Sequence, residues 1–81
     1  MQLTVLLFAS IAEALGTRKI EVPVEPGDTV AHVRDRLIEQ HPVLARFVPT
    51  LLYALDEEYV RDDQPVESAR TLALIPPVSG G

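Results

Sequence analysis

The stretch TLALIPPVSGG, Thr71 to Gly81, decides how the rest of the chain is read. Thr71 to Ile75 is a short apolar run of the kind that forms a buried strand. Pro76 and Pro77 have fixed φ and no backbone N–H, so they end the strand's ladder and bias the chain into an extended segment leaving the sheet. Val78, Ser79, Gly80 and Gly81 then add at most ~3.3–3.6 Å each, roughly 13–14 Å in all, a length suited to a narrow channel in another protein. The glycines lack Cβ atoms, so channel walls can close around Gly80 and the Gly81 carboxylate can be approached from any side. A strand aimed into stiff prolines and a slender terminus makes the end of the chain the candidate working part.

The remainder reads as a small domain that supports this tail. MQLTVLLF (Met1 to Phe8) is apolar at nearly every position and predicts a central strand covered on both faces. Ser10 and Glu13 have capping-box spacing, and Phe8, Ile11, Ala12 and Leu15 recur at helical intervals before Gly16, a natural helix stop. Arg18 to Val24 alternates, with Ile20, Val22 and Val24 on one face, and Pro23 places the strand near an edge. Asp28 is the expected N-cap of a helix carrying Val30, Val33, Leu37 and Ile38 on its buried side, with Arg34, Asp35, Arg36 and Glu39 covering much of its solvent side. Pro42 ends that helix. VLARFVP adds a short helical turn, LLYAL (Leu51 to Leu55) a third strand, and Tyr59 and Val60 a short one after a solvated acidic turn. RDDQPVESAR is a polar connection into the last strand. The expected architecture is α+β, a mixed sheet on one main helix, with a single domain over 1–75 and an extended tail over 76–81.

Composition removes most other chemistry. The chain has 81 residues, 47% hydrophobic but only 5% aromatic, which is a single aliphatic-cored domain. A domain this small buries roughly 60% of its unfolded surface. There is no cysteine, and hence no disulfide, thiolate metal site or side-chain sulfur nucleophile. No apolar run approaches a membrane span and no secretory leader is visible, so a cytoplasmic location without a membrane partner is expected. The net charge of −5, with the basic residues scattered singly, does not suit nucleic acid. It serves solubility first and basic protein partners second.

Side-chain catalysts are also scarce. His32 and His41 stand nine residues apart on opposite sides of one helix and do not form a metal pair. The acidic run DEEYVRDD has no central glycine and places Tyr59, Val60 and Arg61 where a calcium loop needs ligands. Neither a nucleophile elbow nor a phosphate-binding loop is present.

These features resemble the small subunit of molybdopterin synthase, the MoaD-like sulfur carriers of the ubiquitin-like β-grasp fold. The matching residues are FASIAEALG with Phe8, Ala9, Glu13 and Gly16, the PGDTV entry to the helix, EYV at Glu58 to Val60, and above all LALIPPVSGG. The chain departs from the family's habits at Leu55-Asp56, at SART before the last strand, and at Ile75, where an aromatic residue is common. The resemblance implies that a ubiquitin-activating-like enzyme uses ATP to adenylate the Gly81 carboxylate, which a sulfur donor converts to a thiocarboxylate. Gly80 is then the required slender neighbour, and no cofactor is bound by the chain itself.

It further implies that the tail enters a large catalytic subunit in a heterotetramer. Leu74, Ile75, Pro76, Pro77, Val78 and Ser79 form the partner-binding segment, and sulfur passes to cyclic pyranopterin monophosphate during molybdenum cofactor synthesis. The chain would thus be a sulfur-donating subunit without catalytic activity of its own. A terminal Gly-Gly on this fold is shared with the thiamin sulfur carrier and with ubiquitin-like protein modifiers. Those readings stay open at the level of sequence, together with that of an interaction domain with an inert tail.

Overall fold

A computed structural model describes residues 1–77. The elements run β1 (Gln2–Leu7), α1 (Ala9–Leu15), β2 (Lys19–Pro23), α2 (Val30–Gln40), a 3-10 segment (Pro42–Thr50), β3 (Leu52–Leu55), β4 (Glu58–Val60) and β5 (Thr71–Ile75). The strands form one mixed sheet in the order β2-β1-β5-β3-β4. β1 and β5 pair in parallel, Leu6 opposite Ala73 and Leu7 opposite Leu74, while the other pairings are antiparallel. A parallel pair cannot be closed by a tight turn. The connection from β1 to β5 runs through the rest of the chain, including α2. Among the described residues, no helix is long and apolar enough to cross a membrane.

Period-two alternation assigns the strands' faces. Leu3, Val5 and Leu7 of β1, Val22 of β2, Tyr53 and Leu55 of β3, and Leu72 and Leu74 of β5 are buried in one core with Val30, Val33 and Leu37 of α2. β2 is an edge strand, as Pro23 requires. β1 is paired on both sides, but only one of its faces is fully covered: Thr4 and Leu6 on the other are half-buried. Continuous hydrophobicity in MQLTVLLF therefore overstated its burial, because both helices lie on one side of the sheet.

Both expected helix caps move by a residue or more. α1 starts at Ala9 with Phe8 as N-cap and no side-chain cap; the Phe8 carbonyl accepts from the N–H groups of Ile11 and Ala12, so Ser10 lies inside the first turn. Phe8 does not join the buried stripe of Ile11; it is exposed. Gly16 ends the helix as expected, in the left-handed region at φ 75°. The N-cap of α2 is Thr29 and not Asp28: Thr29 Oγ1 accepts from the His32 N–H while His32 Nδ1 accepts from the Thr29 N–H.

Asp28 is diverted to another task. Its carboxylate accepts Arg36 Nη1 at 2.6 Å and Nη2 at 2.8 Å, and the Glu25 N–H at 2.8 Å. Arg34 is likewise more than solvent cover, donating from Nη1 to Tyr53 Oη and to Asp62 and so tying α2 to β3 and to the loop before β5. VLARFVP extends into nine residues of 3-10 structure that bury Leu44. The polar connection is anchored through Val66, which is buried and donates its N–H to the Asp28 carbonyl.

Candidate functional site

The candidate site is the end of the sheet where β5 releases the chain. Leu74 is buried in the core and is held through its pairing with Tyr53 and Leu7. Ile75, half-buried, is the last registered residue and stands opposite Leu52. Pro76 is half-buried and Pro77 exposed. Val78, Ser79, Gly80 and Gly81, where the reacting terminus and much of the partner-binding segment are expected, lie outside the described residues. The sequence-derived segment is thus split at its start: Leu74 is part of the buried core, and solvent exposure begins at Ile75.

The sheet's uncovered face adds Phe8, Leu52 and Tyr59, none of which the sequence assigned to partner binding. Across it the register forms a row of Leu6, Ala73, Ala54 and Tyr59, on four successive strands. The next row toward the tail contains Leu52 and Ile75. Phe8 follows Leu7, whose partner is Leu74, and so comes alongside Ile75. Phe8 is 45% and Leu52 43% exposed, and Tyr59 is also solvent-exposed. Large exposed apolar side chains gathered on one face beside the end of β5 make this face the candidate docking surface. The available signal in sequence was weak, since an apolar Phe8 or Leu52 reads as core until the register shows on which side of the sheet it falls.

Nothing else among the described residues competes as a chemical centre. No group of three or more His, Asp and Glu side chains is arranged to hold a metal ion, and no buried side-chain polar atom lacks a partner. His32 serves the capping box and His41 the C-cap of α2. Two carboxylates are held well ionised, both for structural reasons. The Arg36 guanidinium and the Glu25 N–H bring Asp28 down to about 2. The Thr71 and Arg70 backbone N–H groups lower Asp56, so that part of the acidic turn clamps the start of β5 and is not merely solvated.

The mixed sheet with one principal helix, in which the central strand β5 ends at Ile75, defines a ubiquitin-like β-grasp domain. The chain belongs to the ThiS family, whose model matches residues 5–81. It is 40% identical to the molybdopterin synthase sulfur carrier subunit of Chlamydomonas reinhardtii over 86 aligned residues, covering 100% of both chains. The crystal structure of SAMP1 from Haloferax volcanii superposes with a TM-score of 0.88 at 30% identity, again covering 100% of both chains. A complex of subunits 1 and 2 of the molybdopterin-converting factor from Helicobacter pylori contains a chain of the same fold, with a TM-score of 0.71, 18% identity and 100% coverage of each chain.

Proposed function

We propose that this chain is the sulfur carrier subunit of a molybdopterin synthase. The observation that carries the reading is that the central strand β5 ends at Ile75 beside exposed Phe8 and Leu52, where the sequence continues through two prolines to Gly80-Gly81. The full-length likeness to the algal sulfur carrier subunit supports the same pathway.

A carboxylate is a poor acyl electrophile until one oxygen becomes a good leaving group. A ubiquitin-activating-like enzyme therefore uses ATP to form an acyl adenylate on Gly81, and a sulfur donor displaces AMP to leave a thiocarboxylate. The ionised sulfur is the nucleophilic form. The large catalytic subunit receives the tail, and two successive carriers supply the two sulfurs that convert cyclic pyranopterin monophosphate to a dithiolene. This chain positions and delivers; side-chain catalysis and substrate binding belong to the large subunit.

The uncovered sheet face docks on that subunit, with Phe8, Leu52 and Ile75 seating the tail's root at the channel mouth. Assembly is a heterotetramer, in the cytoplasm, with ATP consumed by the activating enzyme and no cofactor held by the carrier. The test is Gly81→Ala in a reconstituted reaction with the activating enzyme, a sulfur source and the large subunit. The variant is expected to keep its thermal midpoint and to lose product formation; normal product formation would refute the role given to Gly81.

A further inference from the structure

The cationic side chains have an uneven chemistry: six arginines and a single lysine, Lys19. A guanidinium stays protonated at any physiological pH, whereas an ε-amine has an accessible unprotonated form that attacks acyl groups. For a chain whose own terminus becomes an acyl electrophile, the difference decides which of its side chains can capture that terminus. Lys19 is the one side-chain amine that can.

Its position gives such capture a consequence. Lys19 begins β2, a strand with one open edge, and is exposed. Among the described residues no carboxylate lies within ion-pair distance of its Nζ. It pairs with Leu6, which pairs in turn with Ala73, so Lys19 extends the apolar row of the docking face by one strand. Strands lie about 4.8 Å apart, which places the Lys19 backbone roughly 10 Å from β5 at the tail end of the sheet. Met1, the other amine, is at the opposite end, beside the Gln2–Pro23 pair.

We propose that Lys19 is the acceptor site for an isopeptide bond from the activated Gly81 of a second copy of this chain, and that the attached copy obstructs the docking face. The inference rests on the carboxyl activation in the proposed function. In the step, the lone pair of unprotonated Nζ attacks the Gly81 carbonyl carbon of the acyl adenylate. The carbon–oxygen bond to AMP breaks, AMP leaves with the electron pair, and the amine proton passes to solvent. No oxidant or reductant is required. Sulfide competes with Lys19 for the same carbon, so the adduct accumulates when the sulfur donor is withheld.

The test incubates the full chain with ATP and its activating enzyme, with no sulfur source, and follows both pyrophosphate release and intact mass. The expected product has twice the chain mass less one water. After trypsin, which cuts at Arg70, it retains Thr71 to Gly81 on an uncleaved Lys19. Lys19→Arg is expected to lower the adduct at least tenfold with pyrophosphate release unchanged. Adding the sulfur donor is expected to suppress the adduct in the parent chain, and purified adduct to bind the large subunit at least tenfold more weakly than the free chain. Pyrophosphate release without the adduct, attachment at Met1, or an adduct that survives Lys19→Arg would overturn the assignment. Failure of pyrophosphate release would overturn the carrier reading itself and this inference with it.

Discussion

Ile75 stands opposite Leu52 in the antiparallel pairing of β5 with β3, the last registered contact before the chain leaves the sheet. A partner seated on the uncovered face there lies against the residue that directly precedes Pro76 and Pro77. Leu52 is too exposed to contribute much to the core. Its apolar surface gains most when a partner removes it from water.

Leu52→Glu should therefore separate docking from folding. The variant is expected to bind the large subunit more weakly by roughly 1–3 kcal/mol, about 5-fold to 150-fold. Its unfolding free energy should stay within about 0.5 kcal/mol of the parent's. Titration calorimetry and chemical denaturation check the two halves, and unchanged affinity would move the docking surface elsewhere.

Asp28 links stability to pH. Hydrogen bonding from Arg36, and then from the Glu25 N–H, lowers it to about 2, below the value of about 3.9 for an unfolded aspartate. A depressed carboxylate contributes stability above its unfolded pKa and loses it as pH falls through the folded one. The thermal midpoint of the parent should exceed that of Asp28→Asn by a constant margin above about pH 5, and the margin should shrink between about pH 4 and 2. Melting curves across that range check it; a margin independent of pH would mean that the charge of Asp28 is not what stabilises the turn.

The β3–β4 turn carries backbone strain. Asp56 and Glu57 have φ of 45° and 72°, the left-handed region that the tight hairpin demands and that glycine enters most readily. Asp56 earns its place by accepting the Arg70 and Thr71 N–H groups, but Glu57 is exposed and makes no such contact among the described residues. Glu57→Gly should raise stability by roughly 0.5–1 kcal/mol through relief of that strain. Asp56→Ala should lower it by about 1 kcal/mol through loss of the β5 clamp. Urea denaturation of the two variants provides the comparison.

Local rules made much of the fold legible. Apolar runs located β1, β3 and β5, alternation located β2, Gly16 marked the end of α1, and Pro23 put β2 on an edge, because each acts through neighbours in sequence. What escaped depends on distant partners. Asp28 has the chemistry of an N-cap, yet Arg36 is close enough to claim its carboxylate, and the cap passes to Thr29. Val66 sits in a polar run and is buried only because its N–H reaches the Asp28 carbonyl and fixes the loop over α2. Arg34 looks like a surface residue until the fold brings it Tyr53 and Asp62 from far along the chain.

The candidate site divides in the same way. The chemistry proposed for the tail rests on consecutive residues, Pro76 to Gly81, and calls on no part of the fold. The docking face is assembled from alternate residues of separate strands, and only the register joins Phe8, Leu52 and Tyr59 to Ile75.

The central claim is that Gly81 carries sulfur, and the intact mass of the chain tests it most directly. The chain is incubated with its activating enzyme and a sulfur source, with and without ATP. An ATP-dependent gain equal to the replacement of one oxygen by sulfur, mapped by fragmentation to Gly81, is the predicted result. An unchanged mass, obtained with an activating enzyme that is competent on another carrier, would contradict the account.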